Sequence, residues 1–219
     1  MKLKYEITKQ TLDSIFGTVA FIICIPVYMI IGIVIKATVG GHVFYKQQRI
    51  GKDGKKFYLY KFRTMVDGAD KIEDLPIELQ NEYKENYKIK NDPRITKIGR
   101  VLRNWNLDEL PQLLNIVKGN MSFIGPRPVI QEEVEKYGNL KSKFLSVKPG
   151  LSGYWQINTK KCKDYNERIN MELYYIENCS LKFDINIFLE TVKMHIPKNK
   201  KIEQIKVINL QQTKQEMGN

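Results

Sequence analysis

Between Ile15 and Ile35 the chain carries no charged residue, an apolar run as long as a membrane helix. It is longer than the apolar core of a secretory signal and no small-residue cleavage site follows it, so the segment is read as retained. Pro26 lies near its centre, where it removes a backbone donor and presses on the carbonyl four residues earlier, which predicts a kink. Lys2, Lys4 and Lys9 precede the run, and Lys36, Lys46, Arg49 and Lys52 follow it. A single span normally keeps its basic flank on one side, so basic residues at both ends point to both ends being cytoplasmic. A kinked hairpin dipping into one leaflet satisfies the proline and the charges together. A Pro-kinked single span is the alternative, since membrane helices tolerate proline.

Past the apolar run the period changes. "HVFYKQQRI" and "KKFYLYKFRTM" flank "GKDG" and predict a β-hairpin over residues 42–65, with Lys61 and Arg63 on its second strand. Residues 66–90 are strongly charged and read as helix interrupted at Leu75-Pro76. After the turn signal Asn91-Asp92-Pro93, residues Ile95, Ile98, Val101 and Leu102 fall on one helical face. Leu107, Leu110, Leu113, Leu114 and Val117 keep helical spacing, and Lys118-Gly119 ends that segment. Pro111 suits only a first turn, which places the backbone around Asp108 at a helix entrance. Asn106 and Glu109 have the spacing of a capping box, and such an entrance offers free N–H groups to a phosphate. Gly125-Pro126-Arg127-Pro128 reads as a stiff turn that holds one arginine in a fixed direction. "VKPGLSGYWQIN" reads as a turn leading into a strand, and residues 166–178 and "SLKFDINIFLETVKMHI" as helices.

Composition narrows the chemistry. The 219 residues are 42% hydrophobic, enough for one compact domain plus an appendage, and the formal net charge of +12 suits an anionic partner. Three scattered cysteines form neither a disulfide framework nor a metal clip. With only His42 and His195, a zinc site or a Ser-His-Asp triad has too few ligands or bases. Carboxylates and cations are what remains. A carboxylate is ionised at neutral pH and can attack a phosphoryl group without a general base. Asp108 beside Glu109 is the candidate pair, with Arg103, Arg127, Lys61 and Arg63 as clamps and a hard cation such as Mg²⁺ offsetting the charge of a phosphorylated substrate.

"VFYKQQRIGKDGKKFYLYKFRTM", "NDPRITKIGRVLRNWNLDELPQLLNIVKGNMSFIGPRP" and "VKPGLSGYWQIN" resemble, in order and at similar spacing, the signature blocks of the bacterial sugar transferases, the monotopic polyprenyl-phosphate phosphoglycosyl transferases. The resemblance extends over about residues 8 to 195. It implies transfer of a sugar-1-phosphate from a UDP-sugar to a membrane polyprenyl phosphate such as undecaprenyl phosphate, with release of UMP, as a first step of surface glycan assembly. It also implies Asp108 as covalent nucleophile and metal contact, for Mg²⁺ or alternatively Mn²⁺, and Glu109 as its assistant. Arg103, Arg127, Lys61 and Arg63 are implied as phosphate-side residues, and Asp184 as a further member of that set.

The implied fold is α+β. A re-entrant helix-break-helix over residues 1–38 precedes a mainly helical cytosolic domain with a small β-hairpin over 39–195, and a polar basic tail covers 196–219. Placement at the cytoplasmic face of the bacterial plasma membrane follows, with membrane lipids and downstream glycosyltransferases as partners and no nucleic acid. One departure concerns the break: the family usually carries Ser-Pro there, whereas this chain has Ile25-Pro26 preceded by Cys24. The family's longer members have additional N-terminal spans, so a minimal catalytic form is expected. The alternative reading is a membrane-anchored basic module that binds nucleic acid or acidic lipid without catalysis; it leaves the acidic pair and the ordered blocks unexplained.

Overall fold

The structure, a computed structural model, describes residues 2–87, 89–162 and 164–195; the tail over 196–219 lies outside the described residues. Helix α1 (Lys2–Ile23) and helix α2 (Ile25–Thr38) are bent by 53° at Cys24. Pro26 sits in the first turn of α2, where its missing N–H costs least. The bonds from Cys24 N to Ala20 O and from Tyr28 N to Cys24 O, both 2.9 Å, flank the bend. Among the described residues no single helix is long and apolar enough to cross a membrane; the bent pair passes that test only as a unit. Phe16, Val19, Ile22, Ile23, Met29, Ile30 and Ile33 are exposed along it.

The opposite side of the pair is fastened to the domain. A Cβ on Gly17 would lie 2.9 Å from Ile116 Cγ2, so only glycine permits this approach of α1. Asp13 Oδ1 accepts the Phe123 N–H at 3.1 Å, and the Tyr28 hydroxyl donates to the Leu110 carbonyl at 3.0 Å. Ile31 and Ile35 are buried with Phe62 and Leu102.

Strands β1 (Phe44–Ile50) and β2 (Lys56–Phe62) form the expected antiparallel hairpin, with Tyr45 opposite Lys61 and Arg49 opposite Phe57. Asp53 and Gly54 take left-handed conformations in its turn (φ 58° and 74°), which is what Asp-Gly supplies. Over 66–90 the helical expectation is too broad: α3 spans only Ile77–Asn86, starting after Pro76, and the stretch before the Leu75-Pro76 break holds turns and one short 3-10 helix (Ile72–Asp74). Helix α4 (Lys97–Asn104) is capped by Thr96, whose Oγ1 accepts the Gly99 N–H at 3.0 Å. Its apolar face is narrower than expected. Leu102 is buried and Ile98 packs beside it, but Val101 is exposed and Ile95 precedes the helix, bridged to Met65.

A 3-10 turn (Leu107–Gln112) leads into α5 (Leu113–Val117) and strand β3 (Ser122–Ile124). Helices α6 (Gln131–Glu135) and α7 (Lys141–Phe144) precede strand β4 (Gly150–Ser152), which pairs in parallel with β3. The strand expected in "VKPGLSGYWQIN" is thus three residues long and gives way to helix α8 (Tyr154–Ile157). Helices α9 (Tyr165–Asn178) and α10 (Leu181–His195) complete the α+β fold. Their buried Leu173, Tyr175, Ile176 and Ile187 join Ile50, Ile124 and Val129 in one core beneath the Gly125–Pro128 turn.

Candidate active site

Asn106 leaves α4 in a left-handed conformation (φ 52°), and its side chain makes no cap hydrogen bond. The capping box expected from Asn106 and Glu109 therefore does not form. Glu109 Oε1 instead meets Lys61 Nζ at 2.6 Å. The helix-entrance expectation holds in a different geometry: the 3-10 turn contains Pro111 and presents Asp108 and Glu109 before α5 begins. Asp108 is 7% exposed.

Burial and neighbouring charges move the two adjacent carboxyls in opposite directions. For Asp108, burial dominates and raises the carboxyl above its ordinary value, although Lys61 and Arg103 oppose it. For Glu109, burial also pushes upward, but Lys61, Arg127 and Arg49 together outweigh it and hold the carboxyl below its ordinary value. Two neighbouring acids with separated protonation behaviour can take separate roles in one reaction.

The cations come from separate elements. Lys61 lies on β2, where period-2 alternation puts it on the face of buried Leu59. Arg103 is in the last turn of α4 and donates from Nε to Thr64 Oγ1 at 2.9 Å. Arg127 is carried by the Gly125–Pro128 turn, whose backbone is held closely. Gly125 N donates to Ser152 O at 2.9 Å, Gly150 N to Pro126 O at 2.8 Å, and Arg127 N to Glu172 Oε1 at 3.1 Å. A Cβ on Gly125 would lie 2.6 Å from the Lys148 carbonyl, so the turn requires glycine there. Burial pushes the Glu172 carboxyl up to about 7.

Lys61, Glu109 and Arg127 line one narrow cleft together with Arg49, Gln112 and Gln156. Sequence reasoning passed over these last three. Arg49, with Tyr45 and Gln47, occupies the less exposed face of β1, so it is an inward-facing cation rather than a membrane flank.

Asp108, the chain neighbour of Glu109, and Arg103 do not line this cleft, and two further candidates have partners elsewhere. Arg63 is buried, bonded to the Asp67 carboxylate and to the Gly40 carbonyl just past α2. Asp184 accepts three donors: Lys9 Nζ at 2.6 Å and Tyr5 Oη at 2.9 Å from α1, and Tyr175 Oη at 2.7 Å from α9. It is the tie between α1 and α10, and neither residue lines the cleft. Pro26 lies at the bend, as expected.

The model of the bacterial sugar transferase family matches residues 4–198. An uncharacterized sugar transferase of Haemophilus influenzae is 40% identical over 197 residues, which are 88% of this chain and 42% of that protein. The exopolysaccharide production protein ExoY of Rhizobium meliloti is 38% identical over 188 residues, 84% of this chain and 83% of ExoY. The undecaprenyl-phosphate galactose phosphotransferase of Salmonella typhimurium is 38% identical over 192 residues, 85% of this chain and 40% of that enzyme. This chain thus spans most of ExoY but less than half the length of the other two. It belongs to the bacterial sugar transferase family.

Proposed function

We propose that this chain transfers a sugar-1-phosphate from a UDP-sugar to a polyprenyl phosphate, with Asp108 as covalent nucleophile. The observation that carries the reading is the buried Asp108 under the influence of the Lys61 and Arg103 charges, with its carboxyl and that of Glu109 displaced in opposite directions. A carboxylate oxygen of Asp108 attacks the β-phosphorus of the donor. The bond from that phosphorus to the bridging oxygen breaks, UMP leaves, and the sugar phosphate is held as an acyl phosphate. A phosphate oxygen of the acceptor then attacks the same phosphorus, the bond to the Asp108 carboxylate breaks, and polyprenyl-diphosphate sugar departs. If the acceptor phosphate arrives with a proton, Glu109 takes it, with Lys61 holding the glutamate in place at 2.6 Å. Arg103 and Arg127 bind the phosphates and offset the repulsion between anions.

Among the described residues no three His, Cys, Asp or Glu side chains converge. One carboxylate completed by substrate phosphate oxygens is an ordinary way to hold Mg²⁺, so Asp108 suits such an ion, or Mn²⁺ in its stead. That ion, when bound, supplies charge neutralisation on the diphosphate. The bent α1–α2 pair, apolar outside and basic at both ends, supports a re-entrant placement in the cytoplasmic leaflet, which brings the cleft to a lipid-borne acceptor. The test is UMP release by the membrane-bound chain with Mg²⁺, undecaprenyl phosphate and a panel of UDP-sugars. Turnover of one sugar is expected, and Asp108→Asn abolishes it while the chain stays folded and membrane-bound. Full activity of that variant overturns the mechanism.

A further inference from the structure

Arg127 is held at its backbone and left open at its head. Its guanidinium has no ion-pair partner among the described residues, while its Cζ lies 5.8 Å from the centre of the Trp155 ring. The type of neighbour matters. A carboxylate there would orient the arginine and cancel its charge, whereas an indole face attracts the cation and leaves the charge available to an incoming anion.

Trp155 is itself fixed. Its Nε1–H donates to Cys162 Sγ at 3.3 Å, and the Arg168 guanidinium lies 4.8 Å from the ring centre. Arg168 is buried, and its Nη1 meets Glu133 Oε2 at 3.2 Å, which holds the guanidinium against the ring. Tyr165 donates to the same glutamate oxygen at 3.0 Å and lies 4.9 Å from the Arg168 guanidinium. The other oxygen of Glu133 takes Arg49 Nη1 at 3.2 Å, and that nitrogen also donates to the Pro128 carbonyl at 3.1 Å. The contacts close a circuit: Arg127 to Trp155, Arg168, Glu133, Arg49, and back to Pro128 beside Arg127.

We infer that Trp155 is a positioning residue for Arg127: backed by Arg168 and Glu133, it aims a guanidinium that has no ion-pair partner among the described residues at the phosphate of the donor. The inference rests on the proposed role of Arg127 in donor binding. Trp155 acts through Arg127 and touches no reacting atom.

The test uses the full membrane-bound chain and UMP release from UDP-galactose or UDP-glucose, whichever the parent turns over. Trp155→Leu should lower kcat/KM for the donor about tenfold, the size of a partly desolvated cation–π contact, with KM for undecaprenyl phosphate unchanged. Trp155→Phe, which keeps an aromatic face, should return to within about threefold of the parent. In an Arg127→Gln background, Trp155→Leu should add nothing, because the residue it positions is gone. Parent-like donor kinetics in Trp155→Leu overturns the inference, and so does an equal loss in both backgrounds, which marks a purely structural role.

A second measurement needs neither turnover nor a leucine variant that folds. The chain has two tryptophans, so Trp105→Phe leaves Trp155 as its only tryptophan, and excitation at the red edge of the absorption band, beyond the twelve tyrosines, reads it alone. Adding Arg127→Gln to it should change that emission without any ligand, and unchanged emission overturns the contact. Absence of UMP release from the parent would count against the proposed function alone, since the emission test still reads the contact.

Discussion

Asp108 and Asp184 are equally buried, each 7% exposed, yet their surroundings are opposite in kind. Asp184 receives a lysine and two tyrosine hydroxyls, all within 2.9 Å. Asp108 has the charges of Lys61 and Arg103 nearby, but burial still prevails and raises its carboxyl. A buried carboxylate held by three donors from two helices is a fastener. One that pays for burial with incomplete compensation is poised for a cationic or phosphorylated visitor. The same contrast separates Arg63, tied to Asp67 and the Gly40 carbonyl, from Arg127, whose guanidinium lies against the Trp155 ring and has no ion-pair partner among the described residues.

Breaking each side of this contrast should give different losses. The largest is catalytic: Asp108→Asn should lower UMP release about 10³-fold or more with an unchanged melting temperature, because it removes the attacking group and leaves the packing alone. Asp184→Asn should do the reverse, costing about 3 kcal/mol by stranding Lys9 and loosening α1 from α10. Denaturant unfolding checks it, and the surviving folded enzyme should turn over within about threefold of the parent if Asp184 is a fastener.

Lys61→Met gives a smaller effect, read in pH. Lys61 lowers both Asp108 and Glu109, so its loss raises both carboxyls. UMP release needs ionised Asp108, so the acid limb of its pH profile should move to higher pH. The smallest effect concerns Glu172, whose carboxyl rises from 4.5 to about 7 on burial. A raised carboxyl favours the folded state below the unfolded value and loses that contribution as pH climbs through about 7. Glu172→Gln keeps an acceptor for Arg127 N–H, so its melting temperature should exceed that of the parent at pH 8, and the gap should close toward pH 5.

How much of this was legible in the sequence follows the range of the forces. The hairpin was readable because period-2 alternation and "GKDG" are local, and the bend because Pro26 acts on its own turn. The β3–β4 pair was not, since three-residue strands have no period and Ser122 meets Gly150 only through the fold. The capping box at Asn106 failed because Lys61, far away in the chain, claims Glu109. Arg127 stood out inside a rigid Gly-Pro turn, whereas its neighbours Trp155, Arg49 and Gln156 arrive from other elements and carry no local mark of their role. Arg63 and Asp184 looked like Lys61 and Asp108 in type, and only their partners tell them apart.

The most direct test of the central claim is to isolate the sugar-phosphate adduct. The membrane-bound chain is incubated with the UDP-sugar it turns over and Mg²⁺ but no polyprenyl phosphate, quenched in acid, digested and analysed by mass spectrometry. The account predicts one hexose phosphate on the peptide that contains Asp108, formed with UMP, lost on adding undecaprenyl phosphate, and absent from Asp108→Asn. An active parent that carries no adduct on that peptide, or the same adduct in Asp108→Asn, would contradict it.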